Sequence, residues 1–184
     1  MNCTEEQLRL YGVTDRSWLH GKTLYEQVEA ALKGGVTCLQ LREKQLDHDA
    51  FLQEAVELKE LCHRYHVPLI INDNVELAKE MDADGVHVGQ GDMQIAKVRE
   101  ILGEDKIIGV TARTVAQAEA AEAAGADYIG SGAVFGSGTK LDAKVLDHQI
   151  FSEICHSVKI PVVAIGGING ENILQLKGLG AKGA

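Results

Sequence analysis

No apolar run in this sequence approaches the roughly 18 residues that a membrane-spanning helix needs. The first twenty residues carry Glu5, Glu6 and Asp15 where a secretory leader would be basic and then apolar, so the cytoplasm is the expected location. Clusters of five or more Lys and Arg are also absent, and the formal net charge is -9. Both features argue against nucleic acid or an anionic membrane as the main partner and leave a small-molecule ligand as the better fit. Cys3, Cys38, Cys62 and Cys155 lie far apart with no C-x-x-C spacing, which suggests neither a disulfide framework nor a zinc site. Cys62, His63 and His66 fall within one helical turn, but nothing nearby completes a ligand set, and an ordinary polar helix end is the plainer reading. Low-complexity stretches are missing as well. With 184 residues and 45% hydrophobic content, there is material for one sizeable core and too little for two ordinary domains.

What is present is an alternation. Short β-rich apolar runs at Leu8–Thr14, Val36–Arg42, Pro68–Asn72, Gly85–Gly89, Lys106–Thr111, Asp127–Val134 and Pro161–Ile165 are separated by segments of 3.6-residue periodicity. The latter lie at about 21–34, 47–66, 74–82, 92–102, 114–124, 147–157 and 169–179. This is the pattern of successive βα units around a parallel sheet, whose strands are covered on both faces and so read as continuous Val/Ile/Leu runs. A weak internal echo agrees: Gly34-Gly35-Val36-Thr37, Ala83-Asp84-Gly85-Val86, Gly125-Ala126-Asp127-Tyr128 and Gly180-Ala181-Lys182-Gly183 each stand where a helix hands over to a strand. The first three lead into the second, fourth and sixth strands, so the fourth should lead into an eighth, yet the sequence ends at Ala184. The expectation is a single (β/α)8 TIM-barrel domain over residues 1–184, incomplete at the C-terminus, with the eighth strand and helix missing and the edges of the first and seventh strands exposed. A doubly wound sheet would call for a nucleotide fingerprint after the first strand, and Tyr11-Gly12-Val13-Thr14 has a single glycine.

In such a barrel the chemistry projects from the C-terminal ends of the strands. The period of two puts Gln40, Arg42 and Lys44 on one face. Two cations so placed point to an anionic ligand, unless a carboxylate such as Glu43 or Asp47 neutralises them at the rim. Asp73 and Asp92 emerge from adjacent strand ends and suit a hard cation such as Mg²⁺ shared with phosphate oxygens; either could instead cap the helix that follows. Thr111-Ala112-Arg113 follows the fifth strand. Phe135-Gly136-Ser137-Gly138-Thr139-Lys140 follows the sixth, a loop able to fold over a phosphate. Gly166-Gly167 follows the seventh and would let backbone N–H groups approach a phosphate at a helix start. His87, inside the fourth strand, reads as a hydrogen-bonded interior residue and not as a base.

The set Gln40-Leu41-Arg42-Glu43-Lys44, Ile71-Asn72-Asp73, Val86-His87-Val88-Gly89-Gln90-Gly91-Asp92, Ile108-Gly109-Val110-Thr111, Thr139-Lys140-Leu141-Asp142-Ala143 and Ala164-Ile165-Gly166-Gly167-Ile168 closely resembles the thiamin phosphate synthase family, in order and spacing over residues 8 to 184. The resemblance implies a Mg²⁺-dependent transferase. The diphosphate of its pyrimidine substrate would be held by Gln40, Arg42, Lys44, Asn72 and Lys140, with Asp73 and Asp92 as magnesium ligands. Thr111 stands where the family usually has a serine that meets the diphosphate. Ser137 and Thr139 match hydroxyls near the thiazole phosphate, and Gly167 matches an amide donor to it. The sequence departs from the family pattern at Leu141, where a second lysine is common, at Gly138, usually a larger residue, and in lacking a counterpart of the last strand.

The implied chemistry joins a pyrimidine methyl diphosphate to a thiazole phosphate, or its carboxylated form, with release of pyrophosphate through a dissociative pyrimidine carbocation. Arg42, Lys44 and Lys140 are then the catalytic cations. A homo-oligomer is compatible with this reading. Two rivals share the barrel. A thiazole tautomerase needs a histidine near the end of the fifth strand, where Arg113 stands, and a non-catalytic phosphate sensor has no need of Asp73, Asp92 and Lys140 together.

Overall fold

The computed structural model describes residues 2–136 and 144–184 of the chain. Its regular elements run α1 (Glu5–Leu8), β1 (Tyr11–Val13), α2 (Leu24–Lys33), β2 (Cys38–Leu41), α3 (His48–Arg64), β3 (Leu69–Asn72), α4 (Val75–Glu80), β4 (Gly85–Val88), α5 (Ile95–Leu102), β5 (Ile107–Thr111), α6 (Val115–Ala123), β6 (Tyr128–Gly132), α7 (His148–Ser157) and β7 (Val162–Ile165). The strands pair in chain order from β1 to β7, and every pairing is parallel. Except at α5, the helices start where the sequence supplies a side-chain acceptor for their unpaired N–H groups. Thr23 and Glu26 form a capping box at α2, and Asp47, Asn74, Thr114 and Asp147 cap α3, α4, α6 and α7. Among the described residues, no helix is long and apolar enough to cross a membrane.

Side chains on the strands alternate between two separate cores. Leu39, Leu41, Ile71, Val86, Ile108 and Ile129 lie outward, in one cluster with Val28, Leu58, Leu77, Val98 and Phe151 of the surrounding helices. Cys38, Ile70, Ile107, Tyr128 and Val163 lie inward and form a second cluster with Tyr11, Cys3 and Leu8. The barrel interior is thus a packed core with α1 as its floor. Glycine makes room in it. A Cβ on Gly109 would overlap the Tyr128 ring, and one on Gly130 would come 2.9 Å from His87 Cε1.

Three sequence expectations are corrected. The first strand begins at Tyr11 and not at Leu8, because Thr4 and Gln7 form a capping box that winds Glu5–Leu8 into α1. The helix expected at 169–179 is a single 3₁₀ turn, Ile173–Leu176. The side chains of Asn169 and Asn172 bond local backbone groups in place of helical partners, and Gly178 and Gly180 take positive φ. The third concerns barrel closure. Lys182 N–H donates to Val162 O at 2.9 Å and Ala164 N–H to Gly183 O at 2.9 Å on the β7 side; on the β1 side Tyr11 N–H donates to Ala184 O at 2.8 Å. The sheet keeps the seven strands expected, with no eighth among the described residues, but residues 182–184 give the edges of β7 and β1 these few backbone partners.

An ionic strap ties the rim beyond β1 to that beyond β2. Arg16 donates Nε to Glu43 at 2.6 Å and Nη2 to Glu54 of α3 at 2.7 Å, and the Glu43 side chain is only 3% exposed. Burial pushes the Glu43 carboxyl up, but the Gln45 and Lys44 N–H groups and the Arg16 guanidinium outweigh it and hold it below the usual glutamate range.

Two outcomes follow from these contacts. Gly109→Ala should lower stability by roughly 1–3 kcal/mol, because the Tyr128 ring has nowhere to move; an unchanged urea midpoint would show that the interior yields. Arg16→Met should destabilise at neutral pH by about 1–3 kcal/mol, leaving a buried carboxylate without its cation. Glu43 has a lowered folded-state value, so its contribution is full above the ordinary glutamate range and fades as pH falls through the folded value. The gap between Arg16→Met and the parent should therefore narrow in acid, as urea midpoints measured between neutral pH and pH 4 would show.

Candidate active site

The C-terminal ends of the parallel strands converge on one rim, and most of the residues singled out in the sequence meet there. Gln40 points inward and is buried. Arg42, two residues on, makes no ion pair among the described residues, while its backbone N–H donates to Thr14 Oγ1 at 2.9 Å. Glu43 is engaged by Arg16 and leaves both neighbouring cations unneutralised by it. Lys44 reaches across to the end of β3 and pairs with Asp73, Nζ to Oδ2 at 2.6 Å. Among the described residues, one cation of the pair therefore has a rim carboxylate and the other has none.

Asp73 and Asp92 leave neighbouring strands, as expected. Asn72 is in register with His87, and Asp73 N–H donates to His87 O at 2.9 Å. Asp73 has φ of 60°, a left-handed conformation that non-glycine residues seldom adopt. The Asp92 carboxylate turns back so that its Oδ2 accepts from Gly89 N–H at 2.6 Å, which holds it at the end of β4. Neither carboxylate caps the next helix: Asn74 caps α4, and α5 starts at Gln94 with no side-chain cap. Both present hard oxygen donors, and among the described residues no third His, Cys, Asp or Glu joins them. That donor set fits a cation whose remaining ligands come from bound phosphate and water.

Beneath the rim runs a chain of buried polar groups. Gln40 Nε2 donates to the Tyr11 hydroxyl at 2.9 Å, which lies 2.6 Å from the Tyr128 hydroxyl. The latter is 3.0 Å from His87 Nδ1, and His87 Nε2 is 2.9 Å from Thr111 Oγ1. His87 is thus an interior hydrogen-bonded residue, as the sequence suggested. Tyr11 and Tyr128 were not anticipated. Their signal lay in Gly109 and Gly130, inward positions left without side chains so that the rings fit.

At the end of β7, Gly166 and Gly167 have φ of 98° and 67°, and a Cβ on Gly167 would overlap the Gly136 carbonyl oxygen. The Gly167 carbonyl accepts from Asn172 Nδ2 at 2.8 Å. Ser137, Thr139 and Lys140 lie outside the described residues. Arg113 donates to Gly132 O at 2.5 Å and to Lys144 O at 2.6 Å; bound to these two carbonyls, a guanidinium does not replace the histidine that a tautomerase requires. Cys62 is buried and His63 pairs with Asp84, so that helix end is structural.

The same organisation recurs in known proteins. The family model for thiamine monophosphate synthase matches residues 10–184. A thiamine-phosphate synthase of Ruminiclostridium cellulolyticum is 51% identical over 174 residues, 95% of this chain and 83% of that protein. One from Fusobacterium nucleatum is 49% identical over 175 residues, 95% of this chain and 85% of the relative. The solved thiamine phosphate pyrophosphorylase of Pyrococcus furiosus superposes with a TM-score of 0.88 at 38% identity, covering 97% of this chain and 85% of that one. An N-acetylmannosamine-6-phosphate 2-epimerase from Clostridium perfringens, at 16% identity and a TM-score of 0.71, shares the barrel alone. A match along nearly the whole chain, at about half of all positions, is far more than a common barrel requires: the chain belongs to the thiamine monophosphate synthase family.

Proposed function

We propose that this chain is a thiamine-phosphate synthase: a transferase joining a pyrimidine methyl diphosphate to a thiazole phosphate with release of pyrophosphate. The observation that carries the reading is the gathering of Arg42, Lys44, Asp73 and Asp92 at one rim of an otherwise acidic protein. Arg42 and Lys44 hold the diphosphate. The Lys44–Asp73 pair is substantially exposed, with side chains 51% and 35% accessible, and such pairs are worth about 1 kcal/mol at most. Lys44 can therefore turn from Asp73 to a phosphate oxygen at little cost.

Gln40 lies two residues deeper on β2, its Nε2 bonded to the Tyr11 hydroxyl, and with Asn72 and Thr111 it faces the diphosphate. When bound by Asp73 and Asp92, Mg²⁺ supplies neutralising charge beside the leaving group. The reaction needs little acid–base work. The ring amine pushes electrons toward the methylene carbon as its C–O bond to diphosphate breaks, and the thiazole nitrogen donates its lone pair to the resulting cation. Arg42, Lys44 and Lys140 stabilise the charge that builds on the departing group, an effect worth roughly 3–4 kcal/mol per well-placed donor. Ser137, Thr139 and the Gly167 N–H meet the thiazole phosphate. On this reading the partners are small molecules and the enzyme works in the cytoplasm.

Purified protein given both substrates and Mg²⁺ should form thiamin phosphate and pyrophosphate in equal amounts. Asp92→Ala should lose at least about 100-fold in Mg²⁺-dependent turnover with an unchanged unfolding midpoint. Asp73→Asn should behave alike, since asparagine keeps the left-handed backbone that φ of 60° demands. Full activity in either variant would remove that carboxylate from the site.

A further inference from the structure

The buried chain beneath the rim has a direction. Gln40 offers only N–H to Tyr11, so the Tyr11 oxygen accepts at that end. Burial, and then the neighbouring Cys38, push the Tyr11 phenol well above its usual range. Burial, and then Tyr11, do the same to Tyr128, so both hydroxyls keep their hydrogens. If Tyr11 donates to Tyr128, then Tyr128 donates to His87 Nδ1, His87 bears its hydrogen on Nε2 and donates to Thr111 Oγ1, and every hydrogen in the chain has an acceptor. Run the other way, the Tyr11 hydrogen has none among the described residues, and a buried donor so stranded biases the equilibrium by roughly tenfold or more. The two directions differ at Thr111. In the first its oxygen accepts from His87 and its own hydrogen is left for the rim. In the second that hydrogen is spent on His87, and only lone pairs face a diphosphate, which itself offers nothing but acceptors.

We propose that His87, with Tyr128 behind it, is a positioning residue for the transferase: the chain from Gln40 holds the imidazole as its Nε2–H tautomer and so turns the Thr111 hydroxyl into a hydrogen-bond donor toward the substrate diphosphate. The packing supports the assignment independently. The His87 and Tyr128 rings lie 5.5 Å apart between centroids, and the strand positions facing them are Gly130 and Gly109, where any side chain would collide with the rings. The barrel is built around the placement of these two groups. The inference rests on the proposed activity for its purpose, but the tautomer itself does not.

Two measurements test it. In protein with ¹⁵N-labelled histidine, the ring nitrogens of His87 should read as Nε2–H, and Tyr128→Phe should release them to a mixture; an Nδ1–H ring in the parent protein would overturn the relay. In turnover with the pyrimidine diphosphate varied, Tyr128→Phe should lower kcat/KM about 10-fold, the order found when a partner that fixes a histidine tautomer is removed. The double variant T111V/Y128F should be no slower than Thr111→Val alone, because Tyr128 acts through Thr111. Losses that multiply would make Tyr128 a packing residue and end the proposal. Should Tyr128→Phe not fold, His87→Gln and His87→Leu take its place: the amide can still donate to Thr111 and should retain at least about 10-fold more activity than the leucine, whereas equal losses overturn the relay. The nitrogen spectrum needs no turnover, so an inactive parent protein with an Nε2–H His87 would strike the functional reading and leave the relay standing.

Discussion

The nearly closed ring of seven parallel strands is the constraint on which everything else in this molecule rests. Parallel strands all end at the same side, so a ring of them brings side chains from distant parts of the chain to one rim. Lys44 and Asp73 are 29 residues apart and pair at 2.6 Å; His87 and Thr111 are 24 apart and bond at 2.9 Å. Closure makes these distances dependable, because a strand cannot shift by one residue without turning its outer face inward. Residues 182–184 span the remaining gap through a few backbone bonds to β7 and to the start of β1.

On the proposed function, the charges at that rim are arranged so that the cations offered to the diphosphate are not consumed by the protein. The formal charge is -9, and an acidic protein has carboxylates to spare for any cation at its rim. Glu43 stands directly between Arg42 and Lys44 in sequence, just past the end of β2, yet Arg16 and the Gln45 N–H hold it. The strap thus has two effects: it braces the rim, and it keeps the most immediate carboxylate away from Arg42. Lys44 is balanced by Asp73, but through an exposed contact of little strength. The rim combines strong fixed pairs at its outside with weak exchangeable ones at its mouth.

The strands and the rim residues were legible because both depend on local pattern. A buried parallel strand is a short apolar run, and the residues just after it must lie at the rim if the sheet closes. Other features depend on contacts that no local pattern encodes. Leu8 belongs to a helix because Thr4 and Gln7 bond each other's backbone, whereas its spacing from Leu10 imitates a strand. The turn at Ile173–Leu176 follows from asparagine side chains bonding locally in a stretch whose apolar spacing is helical. The left-handed backbone at Asp73 is invisible in its residue type. Least legible was the relay from Gln40 to Thr111, because alternation tells which side chains point inward but not which of them meet across the barrel. The glycines at 109 and 130 were visible in the strands, and they acquire meaning only once Tyr128 and His87 are known to face them.

That interior raises a question of energetics whose answer bears on its purpose. The barrel interior holds Cys3, Leu8, Ile70, Ile107 and Val163 together with Tyr11 and Tyr128, and aliphatic groups could have stood in place of the polar ones. Instead an amide, two phenols and an imidazole stand there, with Gln40, His87 and Tyr128 buried and Tyr11 partly so. Buried polar groups match an apolar filling only when every one is satisfied, and a single missing partner makes the layer a liability. Two strand positions have also given up their side chains to admit the rings, which removes apolar surface from the core. A layer that gains nothing in stability over leucine and valine, and tolerates less change, is understandable only by what it does above. It lies directly under Thr111 and is continuous with Gln40, so its order is passed to the floor of the site, and a rigid hydrogen-bonded layer sets the direction of a hydroxyl where an aliphatic one would leave it to rotate.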